Sequence, residues 1–359
     1  MRPTKAFIDL EALRHNLEVA ARLAPASKNL AVIKANAYGH GMAEAGFALQ
    51  SSADALAVAT IDEAVELRDA GIEGPLLVLQ GVTNREDVEE AVARNLWLML
   101  HDRGQVETVL SLPADHTITA WLKIDSGMHR LGVPLEEAEE ACTALLGSAQ
   151  ISQPPVLATH FACADELDSP LTPRQIERFL SFAAGHGLPL SMANSSGIMH
   201  WPESHADWNR PGYMLYGASP LNTFNGDGLD LLPVMTLTSE IMAIHEISAG
   251  EGVGYGQRWV AEKPARIGTI SVGYGDGYPR HAVNGTPVLV NGKRFKLAGT
   301  VSMDMITVDL TGHDEVKVGD PVELWGRNIC VNEVAASAGT IGYEILAGMT
   351  SRVPRVYTP

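Results

Sequence analysis

A single lysine follows an apolar run near the N-terminus and precedes a glycine-bearing turn, in NLAVIKANAYGHG (29–41). An ammonium group held against apolar neighbours loses hydration, which lowers the pKa of the lysine and favours the neutral amine. A neutral amine attacks carbonyl groups, so Lys34 is a candidate for Schiff-base chemistry. A lysine that pairs with a carboxylate at the end of a strand is the alternative.

The elements that must hold this lysine alternate between short apolar runs and helix-like segments, from residue 28 to about residue 217. Such alternation is typical of repeated βα units, and eight units fit a closed (β/α)8 TIM-like barrel better than an open doubly wound sheet. The eight runs are NLAVIKA (29–35), DALAVAT (54–60), PLLVLQG (75–81), LWLMLHD (96–102), ITAWLKIDSG (118–127), PVLATHFA (155–162), LPLSMANSSG (188–197) and NRPGYMLYG (209–217).

The character of the sequence changes towards the C-terminus, where apolar and polar residues alternate and glycine recurs at short intervals. The Asn-Gly pairs at 284–285 and 291–292 are hairpin-turn signals. A chain of 359 residues also exceeds the usual size of one hydrophobic core. We therefore predict an α/β protein with an N-terminal barrel domain over 1–228, a linker within 221–233 and a mainly-β domain over 229–359.

The composition is that of a globular enzyme, with 46% hydrophobic and 19% charged residues. A formal net charge of -17 argues against nucleic-acid binding, because phosphate contacts need clustered Lys and Arg. No apolar run approaches the length of a membrane span and no secretory signal is recognisable, so we expect a cytoplasmic protein without a membrane partner. Three widely spaced cysteines, Cys142, Cys163 and Cys330, predict free thiols rather than disulfides.

Polar side chains stand at the ends of the predicted barrel strands. The carboxyl ends of barrel strands meet on one face, where barrel enzymes carry their working groups. One polar strand end is weak support by itself, whereas the joint pattern predicts a site. Its members are Lys34 in the first run, Lys123 and Asp125 in the fifth, His160 in the sixth, Asn194, Ser195 and Ser196 in the seventh, and Arg210 beside the eighth with Gly212 and Tyr213.

The segment around the lysine, IKANAYGHG (33–41), resembles the lysine signature of the alanine racemase family. The resemblance implies a barrel that binds pyridoxal 5'-phosphate and a β domain that contributes to the active site. It continues in order over almost the whole chain, through WLKIDSGMHRLG (121–132), THFACADE (159–166), NSSG (194–197), RPGYMLYG (210–217), VGYG (253–256), GYGDGYPR (273–280), VSMDM (301–305) and SRVPR (351–355).

Two catalytic residues follow from this resemblance. It implies that Lys34 holds the cofactor covalently and then acts as the base for the D-enantiomer, while Tyr255 serves the L-enantiomer. Racemization needs two such groups on opposite faces, because one removes the Cα proton and the other returns a proton from the other side. By itself, Tyr255 in a glycine-rich turn reads as a packing residue, and an unperturbed phenol has a pKa of about 10.

The resemblance also implies how the cofactor is held. Arg210 would face the pyridine nitrogen, and its guanidinium can donate a hydrogen bond but hardly a proton, so the ring nitrogen would stay largely neutral. His160 would link Arg210 towards Tyr255, with an ordinary strand-end histidine as the alternative. The candidates for holding the phosphate are Tyr38, Ser195, Gly212 and Tyr213. A tyrosine often found before the terminal RVPR element is Ser351 here.

Substrate recognition would fall to Arg130, whose fork suits a carboxylate, and to the backbone of Met303. In some family members the lysine that matches Lys123 is carbamylated and orients the arginine. An unmodified Lys123 paired with Asp125 is the alternative.

The active-site entrance would be lined by Tyr274, with Asp165 and Arg280 nearby. Thr300 stands where some members carry an arginine, so we expect a less basic outer entrance.

The resemblance implies a homodimer that interconverts L-alanine and D-alanine, with Lys34 and Tyr255 of different subunits in one site. In bacteria this reaction supplies D-alanine for peptidoglycan. A broader racemase acting on serine or lysine, a pyridoxal-phosphate amino-acid decarboxylase, a cofactor-free aldolase and a non-catalytic vitamin-B6-binding protein are the alternatives. The racemase motifs around Tyr255 and Met303 weigh against the decarboxylase.

Two further patterns resemble a nucleotide-binding loop and a metal site, but neither meets the requirements of such a site. The glycines of GEGVGYG (250–256) and GYGDGY (273–278) do not follow a strand and open a helix, as a dinucleotide fingerprint requires. HFACAD (160–165) offers too few ligands for a closed metal site, so we expect no metal.

Overall fold

The computed structural model describes residues 2–113, 115–221, 223 and 228–359, which divide into two compact units. The barrel unit contains the described residues of Leu17–Ala37 and Met42–Leu215. The β unit contains the described residues up to Asn16, Tyr38–Gly41, and the described residues from Tyr216 to Pro359.

The secondary structure alternates strands and helices up to residue 209 and is dominated by strands thereafter. The strands are β1 (Lys5–Asp9), β2 (Lys28–Val32), β3 (Ala55–Val58), β4 (Leu76–Val78), β5 (Trp97–Leu100), β6 (Thr119–Asp125), β7 (Val133–Pro134), β8 (Val156–Ala158), β9 (Leu190–Ser191), β10 (Trp208–Asn209), β11 (Met235–Ile247), β12 (Gly252–Val253), β13 (Trp259–Val260), β14 (Ala265–Ile270), β15 (Pro287–Val290), β16 (Lys293–Leu297), β17 (Ile306–Asp309), β18 (Pro321–Trp325) and β19 (Arg355–Thr358). The helices are α1 (Leu10–Leu23), the left-handed turn α2 (Lys34–Tyr38), α3 (Met42–Leu49), α4 (Ile61–Ala70), α5 (Arg85–Ala93), α6 (Arg103–Leu110), α7 (Leu135–Leu146), α8 (Leu171–Ala183), α9 (Ser195–His200), α10 (Val331–Ser337) and α11 (Gly342–Ala347).

The barrel unit is built on eight parallel strands in the order β10-β2-β3-β4-β5-β6-β8-β9, with β7 added beside β6. The Arg210 N–H donates to the Ala193 carbonyl at 2.9 Å, which joins the ends of β10 and β9. Several strands are buried along their whole length, as expected when helices cover the outside and side chains fill the inside. This confirms the predicted (β/α)8 fold.

The last two barrel strands are much shorter than the apolar runs that predicted them, with two residues each. The Asn194 side chain accepts a hydrogen bond from the Gly197 N–H and so begins α9 where strand was predicted. Beyond β10, Pro211 has no N–H to donate to a ladder, and Tyr213–Tyr216 form a 3-10 helix.

Several barrel helices begin and end at signals that the sequence carries. Thr60, Asn84 and Asp102 each accept a bond from the backbone N–H three residues later, at the start of α4, α5 and α6. Helix α4 ends at Gly71, whose φ of 101° lies in the left-handed region that glycine adopts without penalty. The strand-to-helix loops are therefore fixed at the carboxyl ends of the strands.

The β unit contains an eight-stranded sheet in the order β14-β17-β16-β15-β18-β11-β1-β19. All neighbours are antiparallel except β1 and β19. Asn291 and Gly292, with φ of 48° and 76°, connect β15 to β16 and confirm that predicted hairpin. The pair Asn284–Gly285 forms a turn before β15 and does not join two paired strands.

The first strand belongs to the β unit, because β1 pairs with β11 and β19. The predicted domain 1–228 grouped these residues with the barrel, since alternation in KAFID does not say which sheet a strand joins. The boundary between 228 and 229 stays a prediction. Within the predicted linker, residues 222 and 224–227 lie outside the described residues.

None of the helices formed by the described residues is both long and apolar enough to cross a membrane.

Candidate active site

Lys34 lies two residues after Val32, the last residue of β2, in the barrel unit. The Val32 N–H donates to the carbonyl of Pro211, which follows β10, at 2.9 Å, and the Ile33 N–H donates to the carbonyl of Ala57 in β3 at 2.8 Å. Hydrogen bonds to the chain on both sides therefore fix the end of β2. The next four residues, Ala35–Tyr38, all have φ between 50° and 53°. A left-handed conformation costs a non-glycine residue about 1–2 kcal/mol, so this turn needs external support.

Polar contacts supply that support. The Ala37 N–H donates to the Ile33 carbonyl at 2.9 Å, and the Met42 N–H donates to Asn36 Oδ1 at 2.8 Å. Glu63 Oε1 accepts from the Ala35 N–H at 2.7 Å. The sequence patterns did not single out Glu63, since nothing in the chain links it to a residue 28 positions earlier.

Burial lowers the pKa of Lys34, and the positive charges of Arg130 and Arg210 lower it further, while Glu63 raises it. Burial likewise lowers the pKa of Lys123 to about 8, assisted by Arg210 and Arg130. The barrel edge thus gathers four basic side chains whose charges repel one another. Such a cluster favours neutral amines and suits an anionic ligand.

The Arg210 side chain is buried and makes four hydrogen bonds within the barrel unit. One terminal nitrogen donates to Ser191 Oγ at 2.7 Å. The other lies 2.7 Å from the Thr159 carbonyl, 3.1 Å from the Met192 carbonyl and 3.2 Å from His160 Nδ1. Burial lowers the pKa of Arg210 to about 10, so the side chain still carries its proton near neutrality.

The contact with Arg210 determines the tautomer of His160. Burial, Arg210 and Lys123 hold the pKa of the His160 imidazole well below its ordinary value, so the ring is neutral near pH 7. A guanidinium can only donate, so we assign His160 Nδ1 as the acceptor and the proton to Nε2. His160 therefore presents an N–H donor on the side away from Arg210.

Asp125 shapes the loop that carries Arg130. Its Oδ1 accepts from the N–H groups of Gly127, Met128 and His129 at 2.9–3.1 Å, and its Oδ2 lies 3.0 Å from His129 Nδ1. Burial acts to raise the pKa of the Asp125 carboxyl, but the hydrogen bonds from the loop outweigh it and the pKa is lowered. Lys123 and Asp125, both within the described part of the chain, form no salt bridge, but the Asp125 charge opposes the lowering of the Lys123 pKa.

The predicted phosphate-binding residues are divided between the units. Ser195 Oγ accepts from the N–H groups of Gly212 at 3.0 Å and Met214 at 3.2 Å, and its own proton stays available for donation. Tyr213 is buried in the same unit. Tyr38 belongs to the β unit, where its ring centroid lies 4.7 Å from that of Tyr216 and burial raises its pKa to about 12.

The remaining candidates other than Asp165 lie in the β unit and are largely exposed. Tyr255 is 73% exposed between Gly254 and Gly256, whose φ values are 69° and 71°, and the Thr300 hydroxyl donates to the Tyr255 carbonyl at 3.1 Å. Met303 and Tyr274 are exposed, and the Arg280 guanidinium carbon lies 6.0 Å from the centre of the Tyr274 ring.

Asp165 does not join any of the other candidates. It is exposed after β8, with no hydrogen bond or ion pair to another described residue. Within the part of the chain that the structure describes, no three His, Cys, Asp or Glu side chains gather as metal ligands. The structure therefore brings together Lys34, Lys123, Arg130, His160 and Arg210 in the barrel unit.

Comparison with known proteins gives two family models. The model of the alanine racemase N-terminal domain matches residues 8–220, and that of the alanine racemase C-terminal domain matches residues 234–357.

Individual relatives match over nearly their full length. The catabolic alanine racemase of Pseudomonas putida is 48% identical over 99% of each chain. The crystal structure of the biosynthetic alanine racemase from Pseudomonas aeruginosa superposes with a TM-score of 0.97 at 46% identity, covering 100% of both chains. The alanine racemase of Bartonella henselae, solved with covalently bound pyridoxal phosphate, gives 0.91 at 29% identity and the same coverage. The chain belongs to the alanine racemase family.

Proposed function

We propose that this protein interconverts L-alanine and D-alanine with pyridoxal 5'-phosphate as its cofactor. The observation that carries the proposal is the amine of Lys34, whose pKa burial lowers at the carboxyl edge of the barrel, in a chain of the alanine racemase family. The activity named for its relatives, and the pyridoxal phosphate bound covalently in the Bartonella henselae protein, support it.

The barrel residues suit an anionic aldehyde. Lys34 offers an amine to the aldehyde, and the surrounding Lys123, Arg130 and Arg210 offer positive charge. Lys34 would hold the cofactor, Arg210 would face its ring, and Tyr38, Ser195, Gly212 and Tyr213 would hold its phosphate. When bound, this cofactor supplies an electron sink that acidifies the Cα proton of an amino acid.

Each residue then has a distinct task. Lys34 exchanges a proton with Cα from one face, and Tyr255 exchanges one from the opposite face. Arg130 binds the substrate carboxylate with the backbone N–H of Met303. Arg210 keeps its proton, because its pKa of about 10 lies well above neutrality, and so donates hydrogen bonds without transferring a proton. Arg210 fixes His160, whose Nε2–H would donate a hydrogen bond in the proposed link from Arg210 towards Tyr255.

The active protein would be a homodimer in which Lys34 of one subunit works with the partner subunit's Tyr255. The β unit supports this by exposing several large apolar side chains, among them Tyr255, Met303, Val283 and Met305. The barrel domain, 1–228, would bind the cofactor, and 229–359 would supply the second base. Tyr274, Arg280 and Asp165 would border the entrance.

We place this activity in the cytoplasm, where D-alanine would serve peptidoglycan synthesis. The test is incubation of the protein, loaded with pyridoxal phosphate, with L-alanine, L-serine and L-lysine separately, following each enantiomer by chiral chromatography. Conversion of L-alanine supports the proposal. Conversion of L-serine or L-lysine without L-alanine would instead support the alternative racemase that acts on serine or lysine. Lys34→Ala is the matched inactive control.

A further inference from the structure

The carboxylate of Glu63 bridges two strand ends of the barrel unit. Its Oε1 accepts from the Ala35 N–H and its Oε2 from the Ala59 N–H, both at 2.7 Å. Ala35 is the first residue after Lys34, and Ala59 follows β3. One side chain on α4 therefore ties the residue next to the lysine to the neighbouring strand.

This use of Glu63 differs from the one its sequence context predicts. Thr60 begins α4, and its hydroxyl accepts from the Glu63 N–H at 3.4 Å, which is half of a capping box. In a complete box the glutamate side chain would return to the Thr60 N–H. Here both carboxylate oxygens bind other N–H groups, so the side chain is committed to the loop that follows Lys34.

Only a carboxylate of this length satisfies both donors. A glutamine amide offers one acceptor oxygen and an NH2 group that would face a backbone N–H, and an aspartate is one methylene shorter. The Glu63 charge also opposes Arg130 and Arg210 in their effect on the pKa of Lys34. Geometry and charge thus act at the same lysine.

We propose that Glu63 is a positioning residue for Lys34, which fixes the Ala35 N–H at the entry to the left-handed turn and so sets the direction in which the lysine side chain leaves the strand. The turn is costly, and Ala35 is the point at which it starts. The effect of Glu63 on the reaction rests on the proposed function, whereas the effects of Glu63 on the backbone and on the lysine amine do not.

The experiment compares the full chain carrying Glu63→Gln, Glu63→Asp or the matched control Glu66→Gln. Glu66 lies on the same helix and is exposed, and its side chain has no hydrogen bond or ion pair with another described residue. Three quantities are measured: hydrogen exchange at the Ala35 and Ala59 amides, the pH midpoint of pyridoxal-phosphate uptake by Lys34 from its visible absorbance, and kcat and KM.

In Glu63→Gln we expect at least one of the two amides to exchange about tenfold faster, since a hydrogen bond to a charged acceptor is lost. The uptake midpoint should move to lower pH, because an anion that raises the pKa of Lys34 is gone. We expect kcat to fall by about tenfold or more with little change in KM. Glu63→Asp should keep the midpoint but lose amide protection and kcat, and Glu66→Gln should match the wild type in all three.

The inference would be overturned if Glu63→Gln had the same amide exchange rates, uptake midpoint and kcat as the wild type. If Glu63→Gln fails to fold, Glu63→Asp decides by the same exchange and kcat measurements. If the wild type itself does not racemize alanine, the proposed function fails while exchange and midpoint still test Glu63.

Discussion

Four basic side chains of the barrel unit, Lys34, Lys123, Arg130 and Arg210, act on one another electrostatically at the carboxyl edge. Lys123 is only 7% exposed and forms no salt bridge with another described residue, and the Asp125 charge offsets only part of the burial and repulsion that lower the Lys123 pKa. Burying a charge without a counter-ion is costly unless the group releases its proton. The chemistry that makes the edge suitable for an anionic ligand therefore lowers the stability of the unliganded protein.

Replacing Lys123 by methionine should make the apoprotein more stable at pH 7. The pKa of Lys123 is about 8 in the folded state against an ordinary 10.5. Below pH 8 both states are protonated and only the folded state bears a buried charge, whereas from pH 8 to 10.5 the folded state loses the proton first and the penalty declines. We expect Lys123→Met to raise the unfolding free energy by about 1–3 kcal/mol at pH 7, with the difference vanishing near pH 10.5.

Urea unfolding in carbon-dioxide-free buffer measures this difference, since carbon dioxide could modify a neutral lysine. A variant that is equally stable or less stable than the wild type at pH 7 would show that the buried charge carries no such penalty.

Residue patterns predicted part of this chemistry. The joint pattern of apolar runs that each end in polar residues predicted a site containing Lys34, Lys123, His160 and Arg210. Glu63 could not be nominated, because its partners are backbone N–H groups that any sequence possesses.

Among the secondary-structure elements, the left-handed turn after β2 places four consecutive non-glycine residues, Ala35–Tyr38, at positive φ. Ala35 is exposed and has a φ of 53°, which glycine adopts without cost. We expect Ala35→Gly to raise the unfolding free energy by about 0.5–1 kcal/mol, and Ala35→Val to lower it by more than about 1 kcal/mol because of its branched Cβ.

The matched control is Ala141→Gly, within right-handed α7, which should lower stability by about 1 kcal/mol. Thermal unfolding of the three variants gives the comparison. If both glycine variants lose stability equally, the turn does not carry the strain assigned to it.

The order of the barrel elements was predictable because the spacing of apolar residues along the sequence differs between strands and helices. The lengths of β9 and β10 were not, since Asn194 and Pro211 end the ladders through local hydrogen bonding and not through hydrophobicity. The membership of β1 in the β unit depends on pairing with β11 and β19, which lie more than 200 residues away.

For the whole molecule, the two proposed bases lie in different compact units, Lys34 in the barrel unit and Tyr255 in the β unit. The shared-site proposal predicts that Lys34→Ala and Tyr255→Ala chains, each inactive alone, complement each other after subunit exchange. Random mixing makes half of the dimers hybrids with one intact site each, so about a quarter of wild-type activity should return.

Activity is measured before and after exchange, with each variant incubated alone as the control. If the mixture recovers no activity although its subunits have exchanged, the site is not shared between subunits.

Racemization of alanine through Lys34 is the activity on which the catalytic and substrate-binding roles proposed for Tyr255, Arg130 and Met303 depend. It is tested by supplying the cofactor-loaded wild type and Lys34→Ala with pure L-alanine, and in a second reaction with pure D-alanine, and following both enantiomers by chiral chromatography. We expect the wild type to reach equal amounts of the two enantiomers from either side, while Lys34→Ala leaves the starting enantiomer unchanged. No D-alanine from the loaded wild type, or equal rates in the two proteins, would refute a racemase that works through Lys34.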